Sequence, residues 1–173
     1  DPRIHEETVA VVGNARLGWR LEERNVGKLE GSLRAGIVHL GLGAFHRAHQ
    51  AVFTEDAIEL AGGDWGIIGV SMRSTVVSRQ LLPQAGLYSV LSEDADREEL
   101  RIIGAIRDVL VAPEDPAAVV AAIADQSIKI ITLTITEKGY SLAADGRSLD
   151  LQDSIIKSDL ANYEHPSSAV GLI

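Results

Sequence analysis

Cysteine is absent from the 173 residues. Disulfides, thiolate nucleophiles and cysteine-ligated zinc are therefore excluded, and any metal would have to be held by His and carboxylates. Aromatic residues make up only 4% of the chain, which leaves the core to Val, Ile, Leu and Ala. Long apolar runs are missing too: a charge or a glycine interrupts each after about eight to ten residues, far short of the roughly 20 needed to cross a bilayer. Basic residues are the minority, 16 Lys+Arg against 25 Asp+Glu for a net charge of −9. With no local basic patch, neither nucleic acid nor an anionic membrane is an expected partner. The opening Asp-Pro-Arg-Ile-His-Glu-Glu lacks the basic start and apolar middle of a signal peptide, so a cytoplasmic location is the default expectation.

What is present is a globular composition, 46% apolar with 24% charged residues. Residues 1–35 read as one or two lead-in helices, with Leu17, Trp19, Leu21, Val26 and Leu29 set among charges. From residue 36 the pattern sharpens. Ile37-Val38-His39-Leu40 is a short strand, Gly41-Leu42-Gly43 a turn, residues 47–61 a helix, and residues 65–72 a second strand apolar on both faces. Residues 87–91 and 100–106 predict an inserted β-hairpin. Asp115-Pro116 opens a helix as N-cap and first residue, residues 128–135 form another buried strand, a shorter helix runs from about Asp153 to Leu160, and Ser167–Ile173 resembles a capped helix start of barely a turn. Alternating β and α elements over residues 36–173 predict a doubly wound α/β domain with a mostly parallel, Rossmann-type sheet and helices on both faces.

The Gly41-Leu42-Gly43 turn stands where a nucleotide fingerprint stands, between a strand and a helix, because glycines let backbone amides approach a pyrophosphate. His46 takes the place of the third glycine. Spacing alone leaves three readings open: a dinucleotide, another nucleotide-like ligand, or a tight turn. At the end of the second strand, Val70-Ser71-Met72-Arg73-Ser74 carries no carboxylate for an adenosine ribose. An Arg between serines suits a 2′-phosphate and leans toward NADP or dual use, with a solvated loop Arg as the alternative. His46 and His49 would share a helix face, but His39 lies in a strand and Glu55 and Asp56 come two turns later, so no metal is expected. Instead, His46 and Arg47 are expected at the helix N-terminus beside phosphates, and His49 and Gln50 in local contacts. Thr132-Leu133-Thr134-Ile135-Thr136-Glu137-Lys138-Gly139-Tyr140 puts a polar cluster at a strand's end, where α/β ligands sit, or else a Glu-Lys pair in a loop.

The Ile37–Gln50 block with its Gly-Leu-Gly-Ala-Phe-His-Arg-Ala-His-Gln core, then Asp64-Trp65-Gly66, then Thr132–Tyr140, resemble in order and spacing the mannitol dehydrogenase family of polyol-specific long-chain dehydrogenases. The resemblance covers roughly residues 36–173. The Thr136-Glu137-Lys138-Gly139-Tyr140 form and Ile102-Ile103-Gly104 resemble most the branch acting on D-mannonate and fructuronate (fructuronate reductase, or D-mannonate oxidoreductase); the branch acting on mannitol and fructose is the alternative. It implies metal-independent hydride transfer between a nicotinamide cofactor, NAD first with NADP open, and a secondary alcohol or ketone of a small sugar acid or polyol. It also implies a larger, mainly helical C-terminal catalytic domain carrying a general acid/base Lys. That domain is not among these residues, so no catalytic residue is assigned and Lys138 is not promoted to the role. By position, Gly41, Gly43, Phe45 and Arg47 would form the pyrophosphate turn, Ser71 and Arg73 would lie by the adenosine ribose, and Thr134, Thr136 and Glu137 would border the nicotinamide. The competing expectation is a freestanding, non-catalytic nucleotide-binding or interaction module, and a methyltransferase-like relative is a distant third.

Overall fold

The computed structural model describes residues 33–94 and 97–173; the expected lead-in helices fall almost wholly on residues 1–32, outside the described part. Four strands, β1 (Ala35–Leu40), β2 (Gly66–Ser71), β5 (Ile106–Val111) and β6 (Ile130–Leu133), form one sheet in the order β5-β2-β1-β6. Every pairing in it is parallel. The chain steps outward from β1 through β2 to β5, then returns to the far side of β1 with β6. The strand order therefore reverses between β1 and β6, the place where ligands of open α/β sheets bind.

Alternation explains why β1 and β2 are central. Ile37 and Ile67 point into a core under α2 (Gln50–Ala61) and α3 (Val76–Leu81), while Val38, Leu40 and Val70 point into a second core under α4 (Pro116–Ala124) and α6 (Ala169–Leu172). A parallel strand covered on both faces must be apolar on both. Helix starts follow local chemistry. The Asp115 carboxylate accepts from the Ala118 amide with Pro116 behind it, Asp153 caps α5 (Ser154–Ala161) through the Ile155 amide, and Ser168 caps α6 through the Gly171 amide. No helix among the described residues is long and apolar enough to cross a membrane.

Three expectations need correction. The helix expected over residues 47–61 is two, α1 (Ala44–Ala48) and α2, divided at His49, whose amide bonds to both the Phe45 and His46 carbonyls. The hairpin is present as β3 (Tyr88–Asp94) against β4 (Arg97–Ile103), but it does not run on to residue 106. At Gly104 the chain leaves it, held by the buried Glu55 carboxylate 3.1 Å from the Gly104 amide, and Ala105 passes its carbonyl to the Ile67 amide. Ile106 then begins β5, a parallel strand that the reading missed because Arg107 and Asp108 interrupt its apolar run. Finally, β6 is not the fully buried strand expected over 128–135. It is shorter and outermost, so Ile130 is 44% exposed.

Candidate cofactor site

The carboxyl ends of β1, β2 and β6 converge on Gly41. Its φ of +98° is a left-handed conformation, and its amide and that of Leu42 both donate to the Val70 carbonyl at the end of β2, at 2.9 and 3.0 Å. A Cβ on Gly41 would lie 2.5 Å from the Thr134 carbonyl oxygen. The turn is thus wedged between its neighbours, and glycine there is demanded by the fold. Gly43, two residues on, is different. Its φ is an ordinary −106°, and a Cβ would meet nothing closer than the Gly41 carbonyl at 3.7 Å. Nothing inside the protein requires a glycine at 43. Its missing side chain leaves open approach to the start of α1, where the first-turn amides have no intrahelical acceptors and no side chain caps them.

The other predicted residues gather around this turn to different degrees. The half-buried Arg47 turns its Nε back to the Gly43 carbonyl at 3.3 Å, and its own carbonyl accepts from the Tyr88 hydroxyl at 2.7 Å, which ties α1 to the hairpin. Thr134 lies directly beneath the turn, its hydroxyl donating to the Gly41 carbonyl at 2.7 Å. Thr136 and Glu137 stand exposed on the loop that follows β6, at the start of a 3-10 turn over Glu137–Tyr140. Ser71, at the end of β2, is buried and its hydroxyl donates to the Ser74 carbonyl at 2.6 Å, so it ties the loop that carries the exposed Arg73. The Phe45 backbone belongs to the first turn of α1, but its ring is 67% exposed and stacks on His49. It lines an apolar groove of about 530 Å³ beside α2, together with Phe53, Ala57 and Trp65. Gly41, Gly43 and Thr134 are not among the residues that line it.

A polar cluster under the turn escaped the sequence reading. His39 is fully buried in β1, and each ring nitrogen is 2.8 Å from a threonine hydroxyl, Nδ1 from Thr132 and Nε2 from Thr134. Gln50 donates to Thr132 at 3.1 Å, a contact 82 residues distant in sequence where a local one was expected. His49 does bond locally, to the Phe45 carbonyl. His46, expected at the helix start beside phosphates, is not exposed there. It points inward, fully buried, and stacks on His39 with ring centroids 3.5 Å apart. Neither of its nitrogens has a hydrogen-bond partner among the described residues. Burial lowers the His39 pKa to about 4, partly offset by the Gly41 carbonyl, and lowers that of His46 to about 3, with His39 and Arg47 adding repulsion. Both rings are neutral at pH 7. The signal for this cluster was a His inside an otherwise apolar strand, together with Thr132 and Thr134 two apart on one face of another. No group of three or more His, Asp or Glu side chains among the described residues is placed to hold a metal.

A strand-turn-helix with one glycine forced by the fold and one left open, at the reversal of a parallel sheet, is the arrangement of dinucleotide-binding domains. Residues 35–173 match the family described as the mannitol dehydrogenase Rossmann domain. The chain belongs to the mannitol dehydrogenase family. It is 40% identical over 147 residues to a polyol:NADP oxidoreductase of Gluconobacter oxydans (strain 621H), covering 82% of this chain and 30% of that protein. It is 41% identical over 145 residues to a D-mannonate oxidoreductase of Escherichia coli (strain K12), with the same shares covered. A Pseudomonas fluorescens mannitol 2-dehydrogenase, solved as a ternary complex with NAD and D-mannitol, superposes with a TM-score of 0.74 at 36% identity, covering 82% of this chain and 30% of that one. The chain thus spans about 30% of the length of these mannitol dehydrogenase relatives.

Proposed function

We propose that residues 36–173 are the nicotinamide-cofactor domain of a dehydrogenase that moves a hydride between NAD(P) and a secondary alcohol or ketone of a sugar acid or polyol. When bound, the nicotinamide supplies the hydride donor or acceptor; the residues here bind and orient it. The amides at the start of α1, reached over Gly43, take the pyrophosphate with Arg47 beside them. Arg73 faces the adenosine ribose on the loop that Ser71 ties. Thr134, Thr136 and Glu137 border the nicotinamide. NAD is the first cofactor and NADP an accepted second: the end of β2 holds no carboxylate to repel a 2′-phosphate, and one relative is named for NADP while a structural neighbour was solved with NAD. D-mannonate and fructuronate are the first substrate pair, from the Thr-Glu-Lys-Gly-Tyr form and the D-mannonate oxidoreductase relative; mannitol and fructose are the alternative. The acid/base group is assigned to a C-terminal catalytic domain such as the relatives' greater length can hold. The apolar groove along α2, with Phe45 and Phe53 exposed, favours such a packing partner over a freestanding module.

The observation that carries this reading is the open position of Gly43. Gly43→Ser supplies a good N-cap, which raises helix stability by a few tenths of a kcal/mol, while placing a hydroxyl on the amides that a pyrophosphate would use. Titration of the chain with NADH, followed by fluorescence, should show at least about tenfold weaker binding (about 1.4 kcal/mol) with an unchanged or higher melting temperature. Arg47→Ala should also weaken binding about tenfold through loss of a charge-assisted phosphate contact. Unchanged affinity in both variants refutes the pyrophosphate assignment.

A further inference from the structure

A polar ring in the middle of a parallel strand is tolerated only when its donors and acceptors are met. In the sheet, His39 lies level with Gly69 on β2 and Thr132 on β6. The directions of its hydrogen bonds are fixed by chemistry. Thr134 Oγ1 lies 2.7 Å from the Gly41 carbonyl oxygen, and a carbonyl cannot donate, so the threonine proton occupies that bond. Toward His39 the same hydroxyl can therefore only accept, and Nε2 must carry the ring proton. In the neutral ring Nδ1 is then a bare acceptor, which takes the Thr132 proton, and Thr132 in turn accepts from the Gln50 amide. One unbroken run of donors passes from α2 through Thr132, His39 and Thr134 to the carbonyl of the glycine turn. His46, stacked over the ring, holds it in its plane.

The two halves of this run reach different places. Through Nδ1 the ring is tied to α2; through Nε2 it is tied to the Gly41 carbonyl and the start of the β6 loop, the two sides of the crevice. We propose that His39 is a positioning residue for the dinucleotide, fixing through Thr134 the separation between the glycine turn and the loop after β6. The inference rests on the cofactor reading above. Ring rotation or tautomer exchange would leave the Thr134 hydroxyl with a lone pair facing it and release the turn.

The halves can be separated by substitution. A glutamine amide at position 39 reaches the place of Nε2 and can donate to Thr134, whereas an asparagine amide reaches the place of Nδ1 and meets Thr132 alone. The experiment compares His39→Gln and His39→Asn in the 173-residue chain, reading NADH affinity by fluorescence titration and thermal unfolding by circular dichroism. His39→Gln should bind NADH within about twofold of the unsubstituted chain and His39→Asn at least about tenfold more weakly, although the two melt alike. Equal affinities for the two variants, or affinity that simply follows melting temperature, overturns the inference while leaving the cofactor reading intact. Failure of the unsubstituted chain to bind NADH overturns both. If His39→Asn does not fold, long-range 1H–15N correlation of the unsubstituted imidazole decides the matter. The Nε2–H tautomer at pH 7 supports the inference, and Nδ1–H or an imidazolium overturns it.

Discussion

Substituting Gly41 by Ala should destabilise the chain far more than the same change at a glycine of similar backbone sign but open surroundings. At φ +98° an alanine carries a conformational cost of about 1–2 kcal/mol. The new Cβ would also stand 2.5 Å from the Thr134 carbonyl oxygen, a backbone atom that can yield only if β1 and β6 separate. Overpacking of this kind adds about 1–3 kcal/mol, for a central expectation of about 3 kcal/mol. A chain of this size loses about 2–4 °C of melting temperature per kcal/mol, so Gly41→Ala should melt roughly 10 °C lower. Gly146, with φ +64° and nothing within 4 Å of an added Cβ, isolates the conformational cost; Gly146→Ala should lose only about 1 kcal/mol. Thermal unfolding of both variants by circular dichroism, with urea titration for the free energy, supplies the comparison. Equal losses at the two positions would refute the reasoning, because the steric wedge against Thr134 would then contribute nothing.

Other outcomes follow from the same structure. His39 and His46 titrate below the ordinary value of 6.5, at about 4 and about 3. Between those values and 6.5 the unfolded chain takes up protons that the folded chain refuses, so stability is full above 6.5 and falls with falling pH, each ring contributing roughly 1.4 kcal/mol per pH unit. His46→Leu removes two unpartnered buried nitrogens; urea unfolding between pH 4 and 6 should show one ring's share of the slope gone and stability at pH 7 equal or higher. A slope identical to the unsubstituted chain would count against a neutral, buried His46. Asp115→Ala removes the α4 cap and should cost about 1 kcal/mol, whereas Asp115→Asn should cost little, as thermal melts would show. Arg73→Ala should weaken NADPH about fivefold or more while leaving NADH within about twofold; parallel titrations would show a uniform change if Arg73 serves neither ribose.

Which segments become strands and helices was largely legible in the chain, because local periodicity and end chemistry set them. Ile37–Leu40 reads as a short strand, Asp115-Pro116 reads as a helix start and Ser167–Ile173 as a capped one, and all three hold in the fold. The family resemblance was likewise readable from the Gly-Leu-Gly-Ala-Phe-His-Arg-Ala-His-Gln block, since so many residue types at fixed spacing rarely coincide. Where local signals conflicted, the reading failed. Arg107 and Asp108 disguised β5, whose polar residues are tolerated at the sheet's edge, and the hairpin's end was misplaced because only the Glu55 carboxylate, 49 residues earlier, marks where the chain turns at Gly104.

The chain alone carries the inventory: a wound α/β pattern with a glycine turn between its first strand and first helix, no cysteine, and a net charge of −9. How that inventory meets depends on the packed fold. Gly41 and Gly43 look alike in the chain, yet one is wedged against Thr134 and the other faces open space, because only the first is overlain by a strand that arrives some 90 residues later. His46 looked like a group for the ligand and became a buried neighbour of His39, since a five-residue helix laid on the sheet must turn one side inward. Thr132 and Thr134 acquire their meaning from a histidine 93 and 95 residues away. Spacing along a chain encodes the period of an element and the chemistry of its ends; which elements lie side by side, and in what register, is settled by burying both faces of the sheet at once.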